Sequence, residues 1–288
     1  MKLSLGFSPC PNDTFIFDAL IHHKIDTLNL TFDVQYHDVE TLNHKAFQQE
    51  LDITKLSYHA FAYAQEHYEL LDAGSALGFG VGPLLITKDK DLAAALAQYA
   101  GTELPEEYKN LRIGIPGKFT TANFLMGLAF PTLLNKQQLV FSDIENALLQ
   151  EQIDIGLIIH ENRFTYASKG LHKIVDLGDF WEKTTQSPIP LGGIVIKRDL
   201  PDSLKQQVNN LIRESVEFAF QNPKSGFAYI RSHAQEMDEE VMYKHIELYV
   251  NQYTKDLGDK GRAAIRQMFD RARALKLIPE STKNIFLT

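Results

Sequence analysis

The stretch Ile153-Asp154-Ile155-Gly156-Leu157-Ile158-Ile159 is apolar almost throughout, too short for a stable helix, and cut off by His160-Glu161-Asn162-Arg163. Such a run reads as a strand buried on both faces, the pattern of a parallel sheet. Parallel neighbours need crossover connections, so one strand of this kind commits the surrounding chain to β-α-β units with helices covering the sheet. It also gives the histidine a place. In open α/β sheets ligands bind in the crevice outside the carboxyl ends of the strands, so His160, at the carboxyl end of this one, is the first candidate for chemistry. Residue type alone favours a plainer role, a histidine that ends a strand and hydrogen-bonds a loop.

The rest of the chain supplies the units that strand requires, and supplies them twice. Leu3 to Ser8 reads as a strand, Pro9-Cys10-Pro11 stops it, and Asn12-Asp13-Thr14 offers N-cap side chains to a helix from Phe15 to His22. A strand from Leu30 to Tyr36, a helix from Val39 to Glu50 and a strand from Leu51 to Ser57 complete a β-α-β-α-β lobe. Lys55 and Ser57 stand at the end of that third strand, before a helix from Tyr58 to about Glu66, where a cation, a hydroxyl and helix N–H groups suit a carboxylate. A solvated lysine and a capping serine are the plainer readings. The glycine-rich stretch from Gly74 to Gly82 runs into Pro83 and another extended segment, so it is not a phosphate-binding loop. Arg112 to Gly117 then begins a second β-α-β-α-β unit. Thr120-Thr121-Ala122-Asn123 opens a helix, Gln138 to Phe141 reads as a strand, and Ser142 and Glu145 have capping-box spacing. Asp52-Ile53 and Asp154-Ile155 hold equivalent places in the two units.

A polar and aromatic stretch from Gly178 to Pro190 reads as a linker, and Leu191 to Ile196 as a strand returning to the first lobe. Crossings near Ile86 and Ile196 divide the chain into residues 1–86 with 197–288, and residues 87–196, hinged about a ligand cleft between lobes. Beyond Leu204, helical spacing of Val208, Leu211, Ile212, Phe218 and Ala219 predicts helices packed on the first lobe. Tyr229, Tyr243, Tyr249 and Tyr253, at helical spacing, read as core rather than a binding box.

Composition excludes several functions. A net charge of -8 with no basic cluster argues against nucleic acid as a partner. The single cysteine, Cys10, allows neither an internal disulfide nor a site of several thiolates. With no partner base apparent, Cys10 reads as a small buried thiol lining the cleft. The apolar start ends at Ser8-Pro9, too short for a signal-peptide core, and no run has membrane-spanning length, so the expectation is a cytoplasmic protein with no membrane partner.

Gly6-Phe7-Ser8-Pro9-Cys10-Pro11-Asn12-Asp13-Thr14-Phe15 closely resembles the N-terminal signature of the 1,4-dihydroxy-6-naphthoate synthase family of the futalosine route to menaquinone, and Lys55-Leu56-Ser57, Gly117-Lys118-Phe119-Thr120-Thr121-Ala122 and Ile159-His160-Glu161 are similar to its further motifs. The resemblance runs through nearly the whole chain. It implies a two-lobe α/β fold like the type II periplasmic binding proteins. It also implies a carbon–carbon lyase that takes cyclic dehypoxanthinyl futalosine, a small-molecule carboxylate, releases a sugar-derived fragment and aromatises the remainder without metal, nucleotide or other cofactor. By the same resemblance His160 falls at the family's proton acceptor, and Lys55, Leu56, Ser57, Thr121 and Ala122 fall where it contacts substrate; Thr120, whose hydroxyl and helix N–H can hold an oxyanion or carboxylate, joins them with Asn12 and Cys10 as candidate substrate-site residues. A neutral imidazole with a pKa near ~6.5 suits that proton removal at cellular pH. Two other readings stay open on the residues: chorismate dehydratase, the sister enzyme of the same pathway, and a non-catalytic carboxylate-binding protein of the same fold.

Overall fold

The computed structural model describes residues 1–234 and 238–287. The chain forms two compact units, Met1–Gly78 with Pro190 to the C-terminus, and Phe79–Ile189. Each is built on its own mixed sheet.

In the first unit the strands are β1 (Lys2–Phe7), β2 (Thr31–Tyr36), β3 (Ile53–Ser57), β4 (Tyr68–Leu70), β5 (Ala76–Gly78) and β11 (Ile189–Lys197), the last contributed by the returning chain. Their order is β2-β1-β3-β11-β4, with β5 also on β11. β1 runs parallel to β2 and β3, while β11 runs antiparallel to both β3 and β4. The helices α1 (Pro11–Ile21), α2 (Val39–Phe47) and α3 (Tyr58–Ala64) connect these strands, and five more, α9 (Asp202–Gln221), α10 (Phe227–His233), α11 (Glu239–Tyr249), α12 (Gln252–Lys255) and α13 (Gly258–Ala274), follow the return. One apolar cluster joins β1 and α1 to α9 and α11 through Leu5, Phe17, Val208, Ile212 and Ile246, so the C-terminal helices belong to this unit's core. Tyr249 is buried, and Tyr229 hydrogen-bonds Tyr36, hydroxyl to hydroxyl at 2.9 Å.

The second unit holds β6 (Leu84–Thr87), β7 (Ile113–Ile115), β8 (Lys136–Gln138), β9 (Ile155–Ile158) and β10 (His172–Asp176), in the order β10-β6-β9-β7-β8. Its helices are α4 (Lys90–Ala97), α5 (Thr121–Ala129), α6 (Ile144–Leu149), α7 (Asn162–Thr165) and α8 (Leu177–Thr185). β9 is parallel to β7 and antiparallel to β6. Strand for strand, β8-β7-β9-β6-β10 repeats β2-β1-β3-β11-β4, including the antiparallel fourth strand.

The repeat reaches single residues. Gly6 in β1 and Gly114 in β7 sit beside the third strand at matching register, and a Cβ on either would stand within 2.6 Å of a neighbouring apolar methyl, of Leu51 or Ile153. Asp52 accepts from the backbone N–H and hydroxyl of Ser4, and Asp154 from the backbone N–H and guanidinium of Arg112, so each carboxylate ties the third strand to the first in its sheet.

Four expectations are corrected. The units divide at Gly78/Phe79 and Ile189/Pro190 rather than near residues 86 and 196, because β6 pairs inside the second sheet and most of β11 inside the first. Most of the expected linker from Gly178 to Pro190 is the helix α8, capped by the Asp176 carboxylate on the N–H groups of Gly178 and Asp179 and anchored by the buried Trp181. Gly178 belongs there because a Cβ would meet the Gly82 backbone at 2.8 Å. The strand expected from Gln138 to Phe141 is Lys136–Gln138, and Phe141 begins a 3-10 turn. Ser142 and Glu145 form no capping box: Asp143 precedes α6 with no side-chain cap, and the Glu145 carboxylate is engaged elsewhere.

Candidate active site

In the first unit the predicted residues gather where β1 turns into α1 and where β3 ends. Pro9 and Pro11 force the chain out of β1, and α1 starts with Pro11 at a position where its missing N–H is no loss. The residue before it, Cys10, is buried and occupies the N-cap through its backbone: its carbonyl accepts from the N–H groups of Asp13 and Thr14, each at 3.1 Å. Asn12, Asp13 and Thr14 therefore lie inside the helix instead of capping it.

Asp13 is the centre of this turn. Its carboxylate accepts from the Ser8 hydroxyl at 2.7 Å, the Asn12 amide at 2.9 Å and the Lys55 ammonium at 2.8 Å. Lys55 also donates to the Gly74 carbonyl at 3.2 Å. Both members of the Lys55–Asp13 pair are buried, their side chains 8% and 2% exposed. The lysine is thus a neutralised charge rather than a lone cation awaiting a carboxylate. Ser57, at the start of α3, does not cap it: its N–H donates to Asn43 Oδ1 at 3.1 Å and its hydroxyl faces the Asn43 amide nitrogen at 3.4 Å. Leu56 between them is buried on β3, opposite Gly193. Next to Ser57, burial pushes the Tyr58 phenol well above its ordinary range, so it stays neutral and pairs with Ser75 at 2.7 Å.

His245 on α11 was not foreseen. Its Nε2 lies 2.8 Å from Asn12 Oδ1, across 233 residues of sequence, with the imidazole fully buried. It sits in the stripe Met242, His245, Ile246, Tyr249 of a helix whose spacing signals only core.

In the second unit Thr120 caps α5: its hydroxyl accepts from the Asn123 N–H at 3.2 Å and donates to the Gly117 carbonyl at 2.9 Å. Its proton is committed to the backbone. Thr121 and Ala122 follow in the first turn, both buried. β9 ends at Ile158, so His160 lies just past the strand rather than being its last residue. Half-buried, it adopts φ +58°, the left-handed region that costs a residue with a Cβ. Of the other non-glycine residues with positive φ among those described, most follow helices and two sit in the turn before β2; His160 alone follows a strand directly. The Phe141 ring packs edge-on against the imidazole at 5.0 Å. Beyond it Glu161 is buried ahead of α7, and Asn162 donates to Glu145 Oε2 at 2.7 Å, an oxygen that also takes Lys169 at 2.6 Å.

A sequence model of the family described as menaquinone biosynthesis matches residues 3–274. The chain is 39% identical over 285 residues to a protein of Thermus thermophilus named 1,4-dihydroxy-6-naphthoate synthase, covering 99% of each. A protein of that name from Streptomyces coelicolor is 38% identical over 282 residues, covering 96% of this chain and 95% of the other. The chain belongs to the 1,4-dihydroxy-6-naphthoate synthase family of menaquinone biosynthesis. As in that family's enzymes, it is a synthase of lyase type and not a transport receptor. A solved structure of an Archaeoglobus fulgidus protein is similar at a TM-score of 0.85 and 34% identity, over 96% of this chain and 98% of that one. The periplasmic aliphatic sulphonate binding protein of Escherichia coli reaches a TM-score of 0.64 at 12% identity, over 97% and 89% of the two chains, which shows the shared two-lobe fold alone. Among the described residues of this synthase-family chain, no helix is long and apolar enough to cross a membrane.

Proposed function

We propose that the protein converts cyclic dehypoxanthinyl futalosine to 1,4-dihydroxy-6-naphthoate, with His160 as the general base. One observation carries the choice of base: a histidine in the left-handed region stands immediately outside the carboxyl end of the central strand β9, the place where open α/β sheets bind their ligands. The names of the two relatives favour the lyase over chorismate dehydratase and over a non-catalytic binding protein.

The reaction breaks a carbon–carbon bond next to a carbonyl and then aromatises the remainder. Cleavage followed by aromatisation needs proton removal, and a neutral imidazole can accept the proton. Asn12, Ser57, Thr121 and Ala122 contact the substrate, with Cys10, Leu56 and Thr120 shaping the surface around them. The substrate's carboxylate is met by the Asn12 N–H at the start of α1, with Lys55 supplying at most the third hydrogen of an ammonium already paired with Asp13. The protein works in the cytoplasm.

Purified protein incubated with cyclic dehypoxanthinyl futalosine should release 1,4-dihydroxy-6-naphthoate. General-base catalysis typically contributes about 10²–10⁴-fold, so His160→Asn should lower kcat by roughly that factor while the protein stays folded. In the parent, kcat/KM should fall on the acid side as the imidazole is protonated, and that limb should vanish in the variant. Turnover of folded His160→Asn at the parental rate would place the base elsewhere.

A further inference from the structure

The hydrogen bonds around Asn12 have a fixed direction. The Asp13 carboxylate can only accept, and it takes the Lys55 ammonium and the Ser8 hydroxyl as well as one group of Asn12, so that group is the amide NH₂. The Asn12 carbonyl oxygen must then be the atom 2.8 Å from His245 Nε2. A carbonyl oxygen cannot donate, so Nε2 carries a proton and points it at Asn12. The polar run His245 to Asn12 to Asp13, with Lys55 converging on the same carboxylate, has a single direction, and every member is buried. Inverting the Asn12 amide would set its oxygen against the Asp13 carboxylate, which cannot donate.

Asn12 begins the first turn of α1. Pro11 has no N–H, and the N–H groups of Asp13 and Thr14 turn back to the Cys10 carbonyl, so the Asn12 N–H stands at the open end of that turn. A partner that fixes the Asn12 side chain therefore fixes the donor end of the helix. Within the N-terminal signature Asp13 holds the Asn12 NH₂, and the donor to the Asn12 oxygen comes from α11.

We propose that His245 is a positioning residue for the reaction: donating through Nε2, it locks the Asn12 amide and with it the start of α1 in the orientation that meets substrate. The proposal rests on Asn12 touching substrate, as in the function given above, and it concerns binding rather than the proton transfer at His160. Its effect therefore belongs mainly to KM.

Three forms of the full-length protein test it: the parent, His245→Gln and His245→Leu. A glutamine amide can place an N–H where the imidazole Nε2–H was; leucine fills the space and leaves the Asn12 oxygen buried without a donor. His245→Leu should raise KM about tenfold or more, with kcat per folded molecule changed much less, and His245→Gln should return KM to within about threefold of the parent. Thermal unfolding of each variant supplies the folded fraction. A parental KM in His245→Leu, or equal damage from glutamine and leucine, would overturn the assignment. Ring ¹⁵N shifts of the parent give a readout independent of turnover. Of ten histidines, the one whose signals disappear in His245→Gln should show a protonated Nε2 at neutral pH, and an unprotonated Nε2 would reverse the polarity and end the proposal. A parent inert toward cyclic dehypoxanthinyl futalosine would sink the functional reading instead, with the nitrogen signature still deciding the direction of the Asn12 bond.

Discussion

Removing one member of a buried ion pair costs more than the pair itself contributes, because the remaining charge has no solvent to return to. Lys55→Met does this to Asp13, which would keep the Ser8 and Asn12 donors but lose the Lys55 ammonium, its one cation partner among the described residues. The expected loss is about 3–5 kcal/mol of stability, read as a lower urea midpoint, on top of any change in substrate affinity. Weakened binding with an unaltered midpoint would mean that Lys55 acts as a solvated ligand-binding cation after all. The same residue shows where sequence reading stops at this scale. A strand, a lysine, a serine and a helix start are local words, and they did place Lys55 and Ser57 correctly at the end of β3. The partner of Lys55 comes from a turn 42 residues earlier, and that of Asn12 from a helix 233 residues later, distances over which no spacing rule operates. The place of His160, just past a buried strand, was legible because the break from an apolar strand to polar residues is itself local. Its left-handed backbone was not, since no sequence pattern specifies φ for a histidine.

At the scale of elements, the two carboxylates that open the third strands make a prediction with a definite sign. The Arg112 guanidinium and backbone N–H hold the Asp154 carboxyl below its usual range; at Asp52 burial pushes upward but is outweighed by the Ser4 hydrogen bonds and Lys197. A carboxylate whose folded pKa is depressed contributes stability that is complete above its unfolded value, near ~4, and lost as the pH falls through the lower folded value. Asp154→Asn should therefore cost up to about 1 kcal/mol at pH 7, and its Tm should begin to converge with that of the parent as the pH falls below about 4. A gap in Tm that persists unchanged to pH 3 would assign the effect to something other than ionisation. Both aspartates were visible in the sequence as equivalents, because buried strands write themselves as apolar runs and an acid at the head of each run stands out. α8 was not, because Gly178 and the polar residues around Trp181 imitate a loop; the helix exists through the Asp176 cap and the burial of one tryptophan. The Ser142–Glu145 spacing failed for the opposite reason, a local signal overridden when Asn162 and Lys169 took the carboxylate.

At the scale of the whole molecule, the two sheets share a strand order but draw on the chain differently. Every strand of the second sheet, β6 to β10, lies within Phe79–Ile189, and so does its cluster of Leu84, Ile86, Ile144, Leu148, Ile153 and Ile158. The first sheet has β11 between β3 and β4, and β11 arrives only after the second unit has been completed. That single strand is why the domain limits were misread from the sequence: a β-α-β-α-β pattern announces three parallel strands, while the antiparallel fourth is an apolar run that could pair on either side of a crossing. It also makes the units unequal as folding entities. A fragment of residues 79–189 retains all its ladder partners and its core, within the size at which a single domain folds unaided. Residues 1–78 alone lose β11 and the α9 and α11 faces that bury Leu5, Phe17 and Ile16, leaving the flank of β3 that β11 covers unpaired and β4 without its strand neighbour. The 79–189 fragment should therefore unfold in one cooperative urea transition and show dispersed amide resonances, whereas 1–78 should show neither. Appending residues 190–288 to 1–78 through a short flexible linker in place of the second unit should restore cooperative unfolding, because it returns β11 to the centre of the sheet. Failure of the 79–189 fragment to fold, with the linked first unit folding, would mean that the second sheet depends on contacts outside its own ladder and cluster, and that the repeated strand order does not make it a self-sufficient unit.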